Sequence, residues 1–190
     1  LLFQVLEHNF ARRAKLGCDQ FVYYRATDPR KCLAPDGFVR LGGPDESFDS
    51  WKTWERGAPE LCVEIVSESD ARTWDDKLAA YAELGVSELV RFDADAPAGS
   101  RIRIWDRLEG DLVEREVELD RSPCRVLGGA WVVTGFEVYP AALRLEGEDG
   151  ALLPTSTEAE ALARDADRAA AERRIAELEA ELRRRDAPKT

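Results

Sequence analysis

The spacing of apolar positions changes several times along the chain, and each change predicts an element. Over residues 1–16, LLFQVLEHNFARRAKL, the residues Leu2, Val5, Leu6, Phe10 and Leu16 fall near one face of a helix. Glu7, Arg12, Arg13 and Lys15 fall mostly on the other face, and Gly17 is the expected stop. QFVYYRA is a short β-rich run closed by Asp28-Pro29. KCLAPDGFVRL reads as a second strand interrupted by Pro35. Proline cannot donate to a ladder, so this strand lies at an edge or starts near Asp36. LGGPDESFDSWKTWERG reads as a loop in which Trp51 and Trp54 can pack over a neighbour.

LCVEIVS is the strongest strand pattern. It holds no turn former and is apolar on both faces except at Glu64, which predicts a central strand covered on both sides. SESDART then offers several helix N-caps, with Thr73 nearest the helical pattern, and Gly85 suits the far end of that helix. Trp74, Leu78 and Tyr81 form its apolar stripe, with Lys77 on the border. ELVRFD is the next strand. RIRIWDRLEGDLVEREVEL alternates, with Ile102, Ile104, Leu112, Val117 and Leu119 on one side, and predicts a hairpin about Glu109-Gly110-Asp111 with one solvated face. SPCRVLGGAWVVTGFEVYP adds a short strand, Trp131–Val133, and a docking segment that ends at Pro140. From Thr155 the chain turns rich in Ala, Glu and Arg and predicts a long solvated helix. Ile175, Leu178 and Leu182 give it a short coiled-coil seam. The expected division is a domain over 1–145, a linker over 146–156 and a charged helical tail over 157–190.

Composition narrows the functions open to such a chain. Hydrophobic residues make up 44%, enough for a core. The net charge is −11, so the overall field does not draw nucleic acid, and any such partner needs a local basic patch or a metal ion. The four cysteines form no C-x-x-C pair and read as small residues of a reduced, cytoplasmic protein. His8 is the single histidine, which argues against zinc. No apolar run is long enough to cross a membrane, and no secretory pattern is visible. The chain has no methionine and begins at Leu1, so an N-terminal segment is expected to precede it.

Three residues carry candidate chemistry. Glu64 in a central strand needs a cation, a set of hydrogen bonds or a metal. It fits a functional site, but equally a strand-end glutamate paired to an arginine or facing an open cleft. Asp36 in Pro35-Asp36-Gly37 fits a metal ligand, and also an ordinary turn aspartate. Lys77 on its helix fits a solvated lysine as well as a site residue.

A resemblance ties the three together. PDG at 35–37, PELCVEIVSESD at 59–70 and DDKLAAYAELGVSELVRFD at 75–93 resemble the Uma2 family of bacterial endonucleases, within the PD-(D/E)xK restriction-endonuclease-like superfamily. The likeness covers roughly residues 1–140, and the trailing pattern Lys77, Tyr81, Gly85, Val86 is its most specific part. It implies an α/β fold: a restriction-endonuclease-like core with a mixed central β-sheet flanked by helices, then the coiled-coil-like C-terminal helix. It implies Asp36 and Glu64 as metal ligands, the main-chain carbonyl of Ile65 as a third, and Lys77 in the basic role. The lysine usual two residues after the strand acid is absent, because position 66 is valine. Glu7 could join the metal's outer shell. Where the family reads E-Y-W before two apolar residues and Asp, this chain reads Glu88-Leu89-Val90-Arg91-Phe92-Asp93. The implied function is an Mg²⁺-dependent endonuclease, with Mn²⁺ as a substitute, acting on DNA. Two carboxylates and a carbonyl suit a hard cation that keeps several waters. The rival readings are a catalytically silent nuclease-fold module that assembles through its C-terminal helix, and a subunit that recruits a basic protein partner through residues 157–190. Either way the tail is expected to self-associate.

Overall fold

The computed structural model describes residues 1–42, 48–67 and 73–186, the side chains of the last two excepted. Its first helix is shorter than the apolar period predicts. α1 spans Leu2–Phe10, and residues Ala14–Gly17 form strand β1 instead of a last helical turn. Leu16 pairs with Val39 in an antiparallel ladder. Gly17 is therefore a strand residue and not a helix stop. A Cβ there would lie 2.0 Å from Cε1 of Phe38, so only glycine lets that ring sit against the strand.

Two short strands follow, β2 (Val22–Tyr23) and β3 (Cys32–Leu33), and then β4 (Gly37–Leu41), which starts directly after Pro35-Asp36. β4 is an interior strand, so proline marks its beginning and not a sheet edge. The expected loop after it contains strand β5 (Trp51–Lys52) and one turn of helix, α2 (Thr53–Arg56). Trp51 is buried beside Phe38 and Phe48 and donates from Nε1 to the carbonyl of Gly57 at 2.8 Å, whereas Trp54 stays exposed. Gly43 and Pro44 lie outside the described residues.

β6 (Leu61–Ile65), α3 (Trp74–Leu84) and β7 (Glu88–Phe92) make a crossover unit, and β6 and β7 are parallel as such a helix connection requires. Thr73 caps α3 by accepting from the amide of Asp76 at 3.2 Å, and Gly85 ends it in the left-handed region at φ +101°. β8 (Ile102–Leu108) and β9 (Asp111–Arg115) form the expected hairpin, with Glu109 and Gly110 both at positive φ in its two-residue turn. The alternation does not continue as far as predicted: β9 ends at Arg115, and Leu119 is exposed.

The main sheet runs β1-β4-β6-β7-β8-β9 and is mixed, with β6 inside it. Its two faces feed two cores. Leu61, Val63, Val90 and Ile104 face α1 and a second sheet. Cys62, Leu89 and Trp105 face Tyr81 and Leu84 of α3 together with Val22 and Trp51. The second sheet is a correction to the expected docking segment. β10 (Arg121–Pro123), β11 (Ala130–Phe136) and β12 (Tyr139–Glu146) form an antiparallel set, and Pro140 lies within β12. The buried Glu88 ties the two sheets, accepting from Arg115, from the amide of Val126 at 2.9 Å and from Nε1 of Trp131 at 3.3 Å.

The chain divides into two units, Leu1–Leu153 and Pro154–Thr190. Residues up to 153 stay with the first through a bridge from Glu146 to Leu152 and the amide of Leu153 on the carbonyl of Leu145 at 2.8 Å. The second unit is α4 (Ser156–Asp186), opened by a reciprocal cap between Thr155 and Glu158. Leu162, Ile175, Leu178 and Leu182 are exposed on it, and Arg174 pairs with Glu177 along it. No helix among the described residues is long and apolar enough to cross a membrane.

Candidate active site

Glu64 is the fourth residue of β6 and has the same parity as Cys62, so its side chain points to the α3 face. Lys77 and Tyr81 are four apart on α3 and share the helix face that meets it. Nζ of Lys77 donates to Oε2 of Glu64 at 2.7 Å, and the Tyr81 hydroxyl donates to Oε1. The antiparallel register pairs Gly37 with Val63, which brings Asp36 level with Glu64. Oδ2 of Asp36 accepts from the amide of Ile65 at 2.6 Å. The structure thus brings together Asp36, Glu64, Ile65 and Lys77. Glu7 stands apart: it is exposed on α1, whose apolar face packs into the opposite core, and no hydrogen bond or ion pair among the described residues joins it to the acids. Glu68, Ser69 and Asp70 of the quoted motif lie outside the described residues.

Burial sets the electrostatics. Desolvation raises the Glu64 pKa; the hydrogen bonds from Lys77 and Tyr81 and the ammonium's charge pull it down, and the nearby Asp36 charge pushes it up. Burial also carries the Tyr81 phenol well above its ordinary value, with the charge of Glu64 adding to the rise, so the hydroxyl stays a donor. Glu64 differs from the other buried carboxylates in what it faces. Glu88 and Asp106 are held by Arg115, and Asp120 takes the amides of Gly99 and Arg101 at 2.6 Å each. Glu64 instead opens on a pocket of about 150 Å³ walled by Ile65, Val66, Trp74, Lys77 and Arg91. A larger, open hollow of about 640 Å³ runs along Glu116 to Pro123, but none of the residues converging on Glu64 lines it.

The donor set decides whether a cation fits. Among the described residues no group of three or more His, Cys, Asp or Glu side chains is placed to hold a metal. Two carboxylates within electrostatic reach of each other, beside main chain, suit an oxygen-seeking ion that keeps waters and shares substrate oxygens, and do not suit zinc. By that chemistry Asp36 and Glu64 are the side chains that would hold such an ion, with Lys77 and Tyr81 on the Glu64 oxygens in this structure.

Two residues at the site escaped the sequence reading as chemistry. Tyr81 was legible as part of the apolar stripe and of the family pattern but was given no chemical role, although its i+4 distance from Lys77 was a usable signal. Arg91 was legible only as a charge at a position where the family pattern has an apolar residue. It reaches the pocket because Glu64 and Arg91 are partners across β6 and β7, a register that the sequence does not state.

Comparison with known protein families matches residues 1–140 to the model of Uma2, described as "Putative restriction endonuclease". No curated protein matches. Among solved structures, the chain is similar to one described as "Crystal structure of a putative nuclease belonging to DUF820 from Anabaena variabilis ATCC 29413 at 1.96 A resolution". That likeness has 13% identity and a TM-score of 0.44, and covers 73% of this chain and 69% of the other.

Proposed function

The chain belongs to the Uma2 family, and on that premise we propose that it is a divalent-metal-dependent endonuclease that hydrolyses phosphodiester bonds in DNA. The observation that supports this most is the convergence on one pocket of Glu64 and Lys77, with Asp36 anchored on the next residue's amide. In this reading Asp36, Glu64 and the carbonyl of Ile65 hold Mg²⁺, or Mn²⁺ in its place. The bound ion supplies Lewis acidity at the scissile phosphate and makes the attacking water more acidic. Tyr81 fixes the rotamer of Glu64 through Oε1. Lys77 holds the other oxygen in the resting protein and turns its ammonium to charge developing on the phosphate. Ile65, Val66 and Trp74 line the pocket beside these charges.

The test is cleavage of plasmid and single-stranded DNA by purified protein in Mg²⁺ and Mn²⁺, with and without chelator. The expected result is cleavage lost in chelator and in Glu64→Gln. Absence of cleavage in every metal, or equal cleavage by the Gln variant, sinks the reading.

One observation favours a second reading. Ile175, Leu178 and Leu182 are exposed on a helix whose sequence has a coiled-coil seam, and the chain carries a net charge of −11. These features suit self-association, or capture of a basic protein partner through residues 157–190, by a protein that does not cleave by itself. The free cysteines suit a cytoplasmic location in both readings.

A further inference from the structure

Arg91 occupies a position that nothing in the nuclease reading uses. It lies on β7 directly beside Glu64 of β6, and in a parallel ladder partners face the same side. Its side chain lines the same pocket as Lys77 and is 22% exposed. Arg107 and Arg115 spend most of their donors, although Nε of Arg115 has no partner among the described residues. Arg107 donates to the carbonyls of Val86 at 2.8 Å, Ala82 at 2.6 Å and Gly110 at 2.5 Å, and Arg115 serves Glu88, Asp106 and the carbonyl of Pro123. Arg91 has one long contact among the described residues, to Oδ2 of Asp93 at 3.4 Å. Its guanidinium carbon sits 5.4 Å from the Trp74 ring centroid, so the ring steadies the group without satisfying its N–H donors. A second orphan donor lies on the same wall: Nε1 of Trp74 is buried and has no acceptor among the described residues.

A pocket wall with unspent donors next to an ammonium calls for an anion with several oxygens. We infer that Arg91 is a substrate-binding residue whose guanidinium grips non-bridging oxygens of a nucleic-acid phosphodiester entering the Glu64–Lys77 pocket, with Nε1 of Trp74 as an auxiliary donor. The inference rests on the nuclease reading and adds the residue that seats the substrate. A planar guanidinium matches two phosphate oxygens at once, which lysine does only as a point charge. It also supplies the local positive charge that an acidic protein needs for such a partner.

The test is fluorescence anisotropy of a short labelled DNA, single- and double-stranded, on the full chain in Ca²⁺ over a salt series, with melting temperature alongside. Arg91→Gln is expected to weaken binding about 10-fold or more and to flatten the salt dependence by about one phosphate contact, with melting little changed. Arg91→Lys is expected to recover part of the affinity and most of the salt slope. Trp74→Phe, which keeps a ring but deletes the N–H, is expected to weaken binding by a smaller factor. Arg121→Gln, a surface control paired to Glu146 on the second sheet, is expected to change neither. Wild-type binding with Arg91→Gln indistinguishable from it overturns the inference and leaves the nuclease reading intact. So does equal loss in the Gln and Lys variants with a matching fall in melting temperature, which marks a structural role. A wild-type protein that binds and cleaves no nucleic acid removes the nuclease reading, and this inference with it.

Discussion

Nζ of Lys77 lies 2.7 Å from Oε2 of Glu64, and both side chains are almost out of water, at 12% and 7% exposure. In the resting protein the ammonium is therefore the cation that compensates the buried carboxylate. The pair forms because the penultimate position of β6 and the first full turn of α3 are joined by a short crossover and face each other across one core. Breaking one half of a buried pair leaves the other half uncompensated, which is worse than never burying either.

Lys77→Ala is accordingly expected to lower stability by about 3 kcal/mol in chelator, despite alanine's better helix propensity. Mn²⁺ restores part of the loss by replacing the missing positive charge on Glu64. Titration calorimetry should show Mn²⁺ affinity retained, since lysine is no ligand for a hard cation, while cleavage is lost. A variant with full activity contradicts the role given to Lys77.

Asp36→Asn and Glu64→Gln are both expected to abolish Mn²⁺ binding, but to differ in the metal-free protein. Asparagine can still accept from the Ile65 amide and removes a charge that repels Glu64, so the melting temperature holds or rises slightly. Glutamine leaves the Lys77 ammonium facing a neutral amide and lowers it. Mn²⁺ binding retained by both variants rules out this pair as the metal site.

The pH dependence follows from the direction of the Glu64 shift. Its folded pKa is raised above the ordinary 4.5, so between those two values the folded state holds a proton that the unfolded state has released. Stability contributed by this group therefore falls as pH rises through that window and is level below it. In chelator, wild-type stability relative to Glu64→Gln should decline with rising pH above about 4.5 and then flatten. Chemical denaturation across a pH series checks the sign, and a difference curve that rises instead shows the carboxylate to be stabilised by folding.

Gly17→Ala tests the reassignment of residues 14–17 from helix to strand. In a helix ending at 16 the change would be mild. Against the Phe38 ring it forces a shift of a buried aromatic, and about 1–3 kcal/mol should be lost. A neutral melt would contradict the packing of β1 on β4.

Removing residues 157–190 should leave a folded domain of lower oligomeric order, because Ile175, Leu178 and Leu182 have no cover in their own unit. Light scattering of the two proteins decides this. An unchanged number of subunits shows that the tail does not drive association.

The sequence by itself determined the elements whose cause is local. β6 was legible as an apolar run broken only by Glu64, α3 from Thr73 to Gly85 by its caps, and the turn after Leu108 by Gly110, which takes positive φ without a Cβ clash. Glu64 stood out for the same reason, a charge where its neighbours predict a dry interior. Tertiary structure decided what depends on a partner far along the chain. Leu16 has a helical spacing from Phe10, yet pairing with Val39 makes it a strand residue. Residues 139–146 hold a strand only because β11 lies alongside. Tyr81 reaches Glu64 through helix packing and Arg91 comes beside it through strand register; the spacing of Tyr81 from Lys77 puts the two on one helix face but does not say which strand they meet. Apolar periodicity states how much of a segment is buried, whereas the partner it is buried against is fixed only when distant segments close on one another.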